Sequence, residues 1–167
     1  METIYTVIVV ILLVLAILGL VVGVSNDAVN FLNSAIGSKA ASRKVIFTIA
    51  SVGILLGTMT SSGMMEVARS GVFYPEMFTF RDVMMLFLGV MFANVILLDL
   101  FNTFGLPTST TVSLVFGLLG AAVAVTSLKI SADPTLTAAD MSNYINSGKA
   151  LVIISGILAS VAIAFVV

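Results

Sequence analysis

Apolar residues run almost without pause from Ile4 to about Val24, the roughly 20 positions that carry a helix across the ~30 Å hydrocarbon core of a bilayer. Similar runs extend from Val45 to about Met65, from Val83 to about Leu100, from Leu106 to about Leu128 with an interruption at its start, and from Ala150 to Val167. Residues do not alternate as in a transmembrane barrel, so the pattern predicts an all-α bundle of about five transmembrane or re-entrant segments. Residues 1–167 read as a single transmembrane module.

The links between the runs differ in kind. Lys39 to Lys44 is short and basic, Ser70 to Asp82 carries Pro75 with Glu76, Arg81 and Asp82, and Lys129 to Lys149 is rich in Ala, Ser, Thr, Asp and Asn. The third and fourth runs are joined by "DLFNTFGLPTSTT", which stays near membrane depth. Irregular backbone there must be covered by protein or line a wet cavity, so a broken or re-entrant helix is expected. The three basic residues of the first link place the amino terminus outside. The chain stops inside an apolar run at Val167, which reads as a fragment or as half of a larger unit.

Composition narrows the chemistry. Hydrophobic residues make up 60% of the chain and charged residues 9%, against about 25% charged in soluble domains. The 7 basic residues are scattered and the net charge is −1, which gives no footprint for nucleic acid. With no Cys and no His, zinc sites and catalytic triads are excluded and no cofactor is expected. Chemistry is left to carboxylates, amides, hydroxyls and backbone.

Three polar constellations stand out. Asn26, Asp27 and Asn30 place a carboxylate and two amides on one helical turn, a hard-oxygen set suited to a small cation such as sodium at Asp27; the reading is of an interrupted helix, and the alternative is a cap by Ser25 or Asn26 on a helix that follows. In "GLPTSTTVSLVFGLLG", Pro107 suits the first turn of a new helix. Thr108, Ser109, Thr110 and Thr111 then crowd its orphan N–H groups, an anion site without any basic residue. In "GMMEVARSG", Glu66 and Arg69 lie three residues apart, either as a surface ion pair or as a relay or gate within the bundle. Gly19 with Gly23 and Gly53 with Gly57 have the spacing of close helix packing. Asp99 has no firm role; pairing with Asn102 or Thr103 is one option.

At these residues the chain resembles the PiT-type inorganic phosphate transporters. "SNDAVNFLNSAIGS" matches the family signature G-A-N-D-V-A-N-A-F-G-T-S-V-G-S at Asn26, Asp27, Asn30, Gly37 and Ser38, with Ser34 at its Thr. "LPTSTTVS" matches L-P-V-S-T-T-H-A at Leu106, Pro107, Ser109, Thr110 and Thr111. "EVARSG" is similar to E-T-I-R-K-G at Glu66, Arg69 and Gly71. Val24, Asn33 and Ala35 depart from the signature, and Val112 stands where the second motif has His.

The resemblance implies phosphate transport across the cell membrane by symport with sodium or a proton, and no enzymatic step. It implies an inverted-repeat architecture of which this chain is one half, completed by a second half or by a homodimer partner. Asn26, Asp27 and Asn30 would bind the coupling cation, while Ser34, Ser109, Thr110 and Thr111 would bind phosphate. The rival expectations are a carrier of another oxyanion such as sulfate, and a channel-like or non-transporting membrane subunit.

Overall fold

The computed structural model describes residues 2–66 and 71–166. Its elements are α1 (Glu2–Gly37), α2 (Arg43–Met59), α3 (Ser62–Glu66), a short 3-10 turn at Pro75–Met77, α4 (Phe80–Thr103), α5 (Thr110–Ala132), a second 3-10 turn at Ala138–Asp140, α6 (Met141–Tyr144) and α7 (Ser147–Val166). Among the described residues, four helices are long and apolar enough to cross a membrane: Thr3–Gly37, Phe80–Thr103, Thr110–Ala132 and Ser147–Val166. The expected second span falls short. Its helix, α2, ends at Met59, where Thr60 Oγ1 donates to the carbonyls of Leu56 and Gly57 and Ser61 Oγ to that of Thr58. Hydroxyls that bond back to the preceding turn compete with continued helix.

The first run corrects the expectation more sharply. α1 is one unbroken helix of 36 residues, about 54 Å long at 1.5 Å per residue, and it passes straight through Asn26, Asp27 and Asn30. Nothing between Val24 and Ile36 is Gly or Pro, and polar side chains alone do not break a backbone. Ser25 caps nothing; its hydroxyl donates to the Val21 carbonyl one turn back, at 2.8 Å. α1 closes only beyond Gly37, where Ala40 N bonds Ala35 O and Lys39 takes a φ of 54°, the left-handed closing residue that glycine more often supplies.

Side-chain contacts fix the helix directions. The rings of Tyr5 and Phe80 meet edge to face with centroids 5.3 Å apart, Gly19 approaches Met91 and Val95, and Gly23 approaches Leu98. Sequence numbers rise together along both helices, so α1 and α4 are parallel. A Cβ at either glycine would meet these side chains at 3.6–3.9 Å, ordinary van der Waals contact. In contrast, nothing lies within 4 Å of a Cβ built at Gly53 or Gly57, and the spacing on α2 goes unused within this chain. α5 returns antiparallel to α4, with Gly117 against Val90.

The core lies near the start of α4, where Val72, Phe73, Phe78, Leu86, Val90, Leu118, Ala122, Tyr144 and Ile145 are buried together. Tyr74 N bonds Tyr144 O and Asn146 N bonds Val72 O, which ties the segment before α4 to the segment before α7. Lys129 fastens the same end. Its Nζ is 3.1 Å from Asp82 Oδ2, donates to Met77 O at 3.1 Å, and stands 5.3 Å from the ring centroids of Phe78 and Tyr144. Asp82 is held in turn by the capping box with Thr79. Lys129→Met keeps the aliphatic stem and removes the charge, so it should lower unfolding stability in detergent by about 1–3 kcal/mol. An unchanged melting temperature would contradict the clasp.

Much of the remaining surface is apolar. Leu13, Leu20 and Val21 on α1, Leu55 and Leu56 on α2, and Leu151, Val152 and Phe165 on α7 are exposed, as suits side chains solvated by lipid.

Candidate functional site

α4 ends at Thr103, and Gly105 takes a φ of +65°, a backbone state open to glycine at little steric cost. Pro107 lies in the irregular chain that follows, and α5 starts at Thr110 with Ser109, in extended backbone, as its N-cap. Pro107 therefore precedes the cap and does not occupy the first helical turn. The reason is local: Ser109 Oγ accepts from Val112 N at 3.3 Å, the capping bond that favours Ser at this position. The expected break between the third and fourth runs is thus a tight turn between two helices, and it lands beside the middle of α1.

A chain of side-chain amides joins the turn to α1. Asn102 Nδ2 donates to Val22 O at 3.0 Å, and Asn26 Nδ2 donates to Asn102 Oδ1 at 2.9 Å. Asn30 Nδ2 donates both to Asn26 Oδ1 at 3.1 Å and to Thr108 O at 3.0 Å. Asn26 is only 2% exposed, so both ends of its amide are engaged inside protein. Asn102 turns to α1, which sets aside the suggested pairing with Asp99; Asp99 itself is exposed.

Asp27 lies one residue along from this chain, half-buried, and accepts from Thr110 Oγ1 through a long contact of 3.4 Å. This puts a carboxylate at the N-terminal end of α5, where the helix dipole is positive. The first four N–H groups of a helix lack intrahelical partners. Val112 N and Ser113 N are taken by the side chain and carbonyl of Ser109, which leaves the N–H groups of Thr110 and Thr111 without a partner among the described residues. Asp27, Thr110, Thr111 and Asn94 line an open cavity of about 250 Å³, whose other lining residues are Gly19, Leu20, Gly23, Val24, Leu98 and Leu114. Among these lining residues the one charge is the carboxylate of Asp27. Asp27 also borders a larger, apolar cleft between α1 and α2, with Phe31, Phe47 and Ile54.

Asn26, Asp27, Asn30, Thr110 and Thr111 are therefore gathered at one place, with Ser109 adjacent as the cap. Ser34 is not: it lies further along α1, exposed, outside both cavities that Asp27 borders. Glu66 is also elsewhere, at the end of α3, on an open cavity of about 290 Å³ that it shares with Lys149. Arg69 lies outside the described residues. Sequence reasoning missed Asn94 and weighed Asn102 only as a partner for Asp99. Their signal is a lone amide within or at the edge of an apolar run, which is costly in a membrane unless a neighbouring helix uses it.

A model of the phosphate transporter family matches residues 22–167. A protein of Thermococcus kodakarensis named "Putative phosphate permease TK2061" is 34% identical over 98 residues, which are 58% of this chain and 24% of that protein. The chain spans about a quarter of the length of that curated relative in the match. No solved structure gives a significant match.

Proposed function

This chain belongs to the phosphate transporter family, and we propose that α1, α4 and α5 form one half of a centre that carries inorganic phosphate across the membrane together with a cation. Membership makes it a transporter component, not an enzyme, and with four candidate spans it is a multi-pass membrane protein.

Asp27 supplies the charge that draws the cation, sodium or a proton. The hydroxyl of Thr110, 3.4 Å from Asp27 Oδ1, is a neutral oxygen beside it, as a hard cation prefers, and Asn30, one turn along α1, contributes by position. Asn26, whose amide is engaged at both ends, holds α1 in register and contributes to the cation site by position. Phosphate is received by the N–H groups and hydroxyls of Thr110 and Thr111, with Ser109 as a further hydroxyl. A cation beside Asp27 cancels the repulsion between the carboxylate and the entering anion, and the anion favours the cation in return; coupling follows from this reciprocity. Glu66, which lies outside this centre, forms with Arg69 a relay or gate. The remaining ligands come from a second, inverted half or a second copy of the chain, since a cavity whose lining carries only a negative charge is incomplete for an anion.

The observation that carries this reading is the contact of Thr110 with Asp27, which joins two motifs 83 residues apart in the chain. Its test is uptake by the full reading frame in proteoliposomes. Replacing Thr110 and Thr111 together by Val, which keeps their shape, should raise the phosphate KM by about tenfold or more. Uptake of sulfate in place of phosphate would reassign the site to another oxyanion, and unchanged phosphate kinetics in the double variant would contradict the site.

A further inference from the structure

Asn94 sits in the middle of α4, in the run "VMFANVILL", where an unpaired amide is costly in a membrane. Half of that amide has a partner: Ser113 Oγ on α5 donates to Asn94 Oδ1 at 2.8 Å. With the oxygen held by α5, the Nδ2 end is turned away from Ser113. Among the described residues no acceptor meets it, yet it is not sealed off, since the side chain is only half-buried. The cavity it borders is the one lined by Asp27, Thr110 and Thr111.

We propose that Asn94 is a phosphate-binding residue and Ser113 the residue that positions it. This rests on the reading of the cavity as a phosphate site and deepens it. The donors of Thr110 and Thr111 belong to one helix end, and Asp27 on α1 offers no donor. Asn94 adds a donor from a third helix, so that a tetrahedral oxyanion is held from more than one side. The amide suits this place because it brings two N–H donors without a second charge beside Asp27. Ser113 decides which end of the amide faces the cavity: with its hydroxyl on the oxygen, donors face the anion, whereas the opposite rotamer would present an acceptor and repel it. A role confined to joining α4 to α5 would use the Ser113 bond and leave the Nδ2 donors without purpose.

The test uses the full reading frame in proteoliposomes, with inorganic phosphate as the probe and initial uptake rates measured against both phosphate and the coupling cation. Asn94→Asp keeps the shape and the Ser113 bond but replaces the donors with a charged acceptor. It should raise the phosphate KM by about tenfold or more while the cation concentration for half-maximal rate stays within about twofold. Ser113→Ala should raise the phosphate KM by a smaller factor, and Ser113→Thr, which keeps the hydroxyl, should restore it. Membrane insertion of each variant is checked by detergent-solubilised size exclusion; if Asn94→Asp fails to insert, the Ser113 pair carries the test. A phosphate KM unchanged in Asn94→Asp, or equal in Ser113→Ala and Ser113→Thr, overturns the proposal. If those values are unchanged while the Thr110 and Thr111 double replacement still impairs phosphate uptake, the cavity reading stands and the role of Asn94 alone falls; if all are unchanged, the cavity reading falls with it.

Discussion

Asp27→Asn should lower cation-dependent phosphate uptake by roughly two orders of magnitude, because removing one member of a desolvated charge pair costs about 2–5 kcal/mol and every 1.4 kcal/mol is tenfold. The substitution is chosen for what it keeps. Asparagine has the size of aspartate and an oxygen that can still accept from Thr110, so the contact at 3.4 Å survives and only the charge is removed. Asp27 is the one charged residue lining its cavity, and none of the other lining side chains can replace it as a cation anchor. The check is uptake in proteoliposomes at matched protein level. If the variant kept wild-type rates and cation dependence, the carboxylate would serve only as an electrostatic partner for the start of α5.

Asn26→Leu should be the most damaging neutral replacement in the site. Leucine fills a similar volume, but it strands Asn102 Oδ1 and frees one bond of Asn30 Nδ2, both of which Asn26 satisfies in a place only 2% exposed. Interhelical hydrogen bonds in membranes average about 0.6 kcal/mol, and an orphaned buried group adds about 1–3 kcal/mol. Unfolding stability in detergent should therefore fall by about 2–4 kcal/mol, with loss of uptake, since α1 and the α4–α5 turn lose their common register. Asn30→Leu should cost less, because Asn30 is exposed and water can replace its partners. Equal melting temperatures for Asn26→Leu and the native protein would show that the amide chain does not hold the site.

How much of this could be read from residues alone varied with the physics. Long apolar runs located α4, α5 and α7, because a span must satisfy its backbone within one helix and so leaves an uninterrupted record. The residues of the candidate site were legible because acids and amides in such runs are rare. The continuity of α1 was not. The cluster at Asn26, Asp27 and Asn30 looks like a helix end, yet its amides spend their hydrogen bonds on Asn102 and Thr108, partners 76 and 78 residues away. That pairing arises only when α1 and α4 lie parallel, and no local pattern records it. The same holds for Pro107, which fits a first helical turn in isolation, whereas the turn geometry set by Gly105 and the cap by Ser109 move the start of α5 to Thr110. Asn94 was overlooked, and Asn102 was weighed only beside Asp99, because each has value only through the helix opposite.

If one cavity between α1, α4 and α5 receives phosphate only when a cation is present, chemical labelling inside that cavity should follow both ions. These 167 residues hold no Cys, so a thiol introduced by Leu114→Cys, which lines the cavity without contributing a polar group, reports from that place once any Cys elsewhere in the reading frame is replaced by Ser. Its modification rate by a small maleimide is measured in the full reading frame in proteoliposomes, with and without phosphate, across sodium concentrations and pH. The account predicts that phosphate slows labelling in the presence of the coupling cation, sodium or proton, and leaves it unchanged in its absence. A labelling rate that phosphate fails to alter under every cation condition would contradict it.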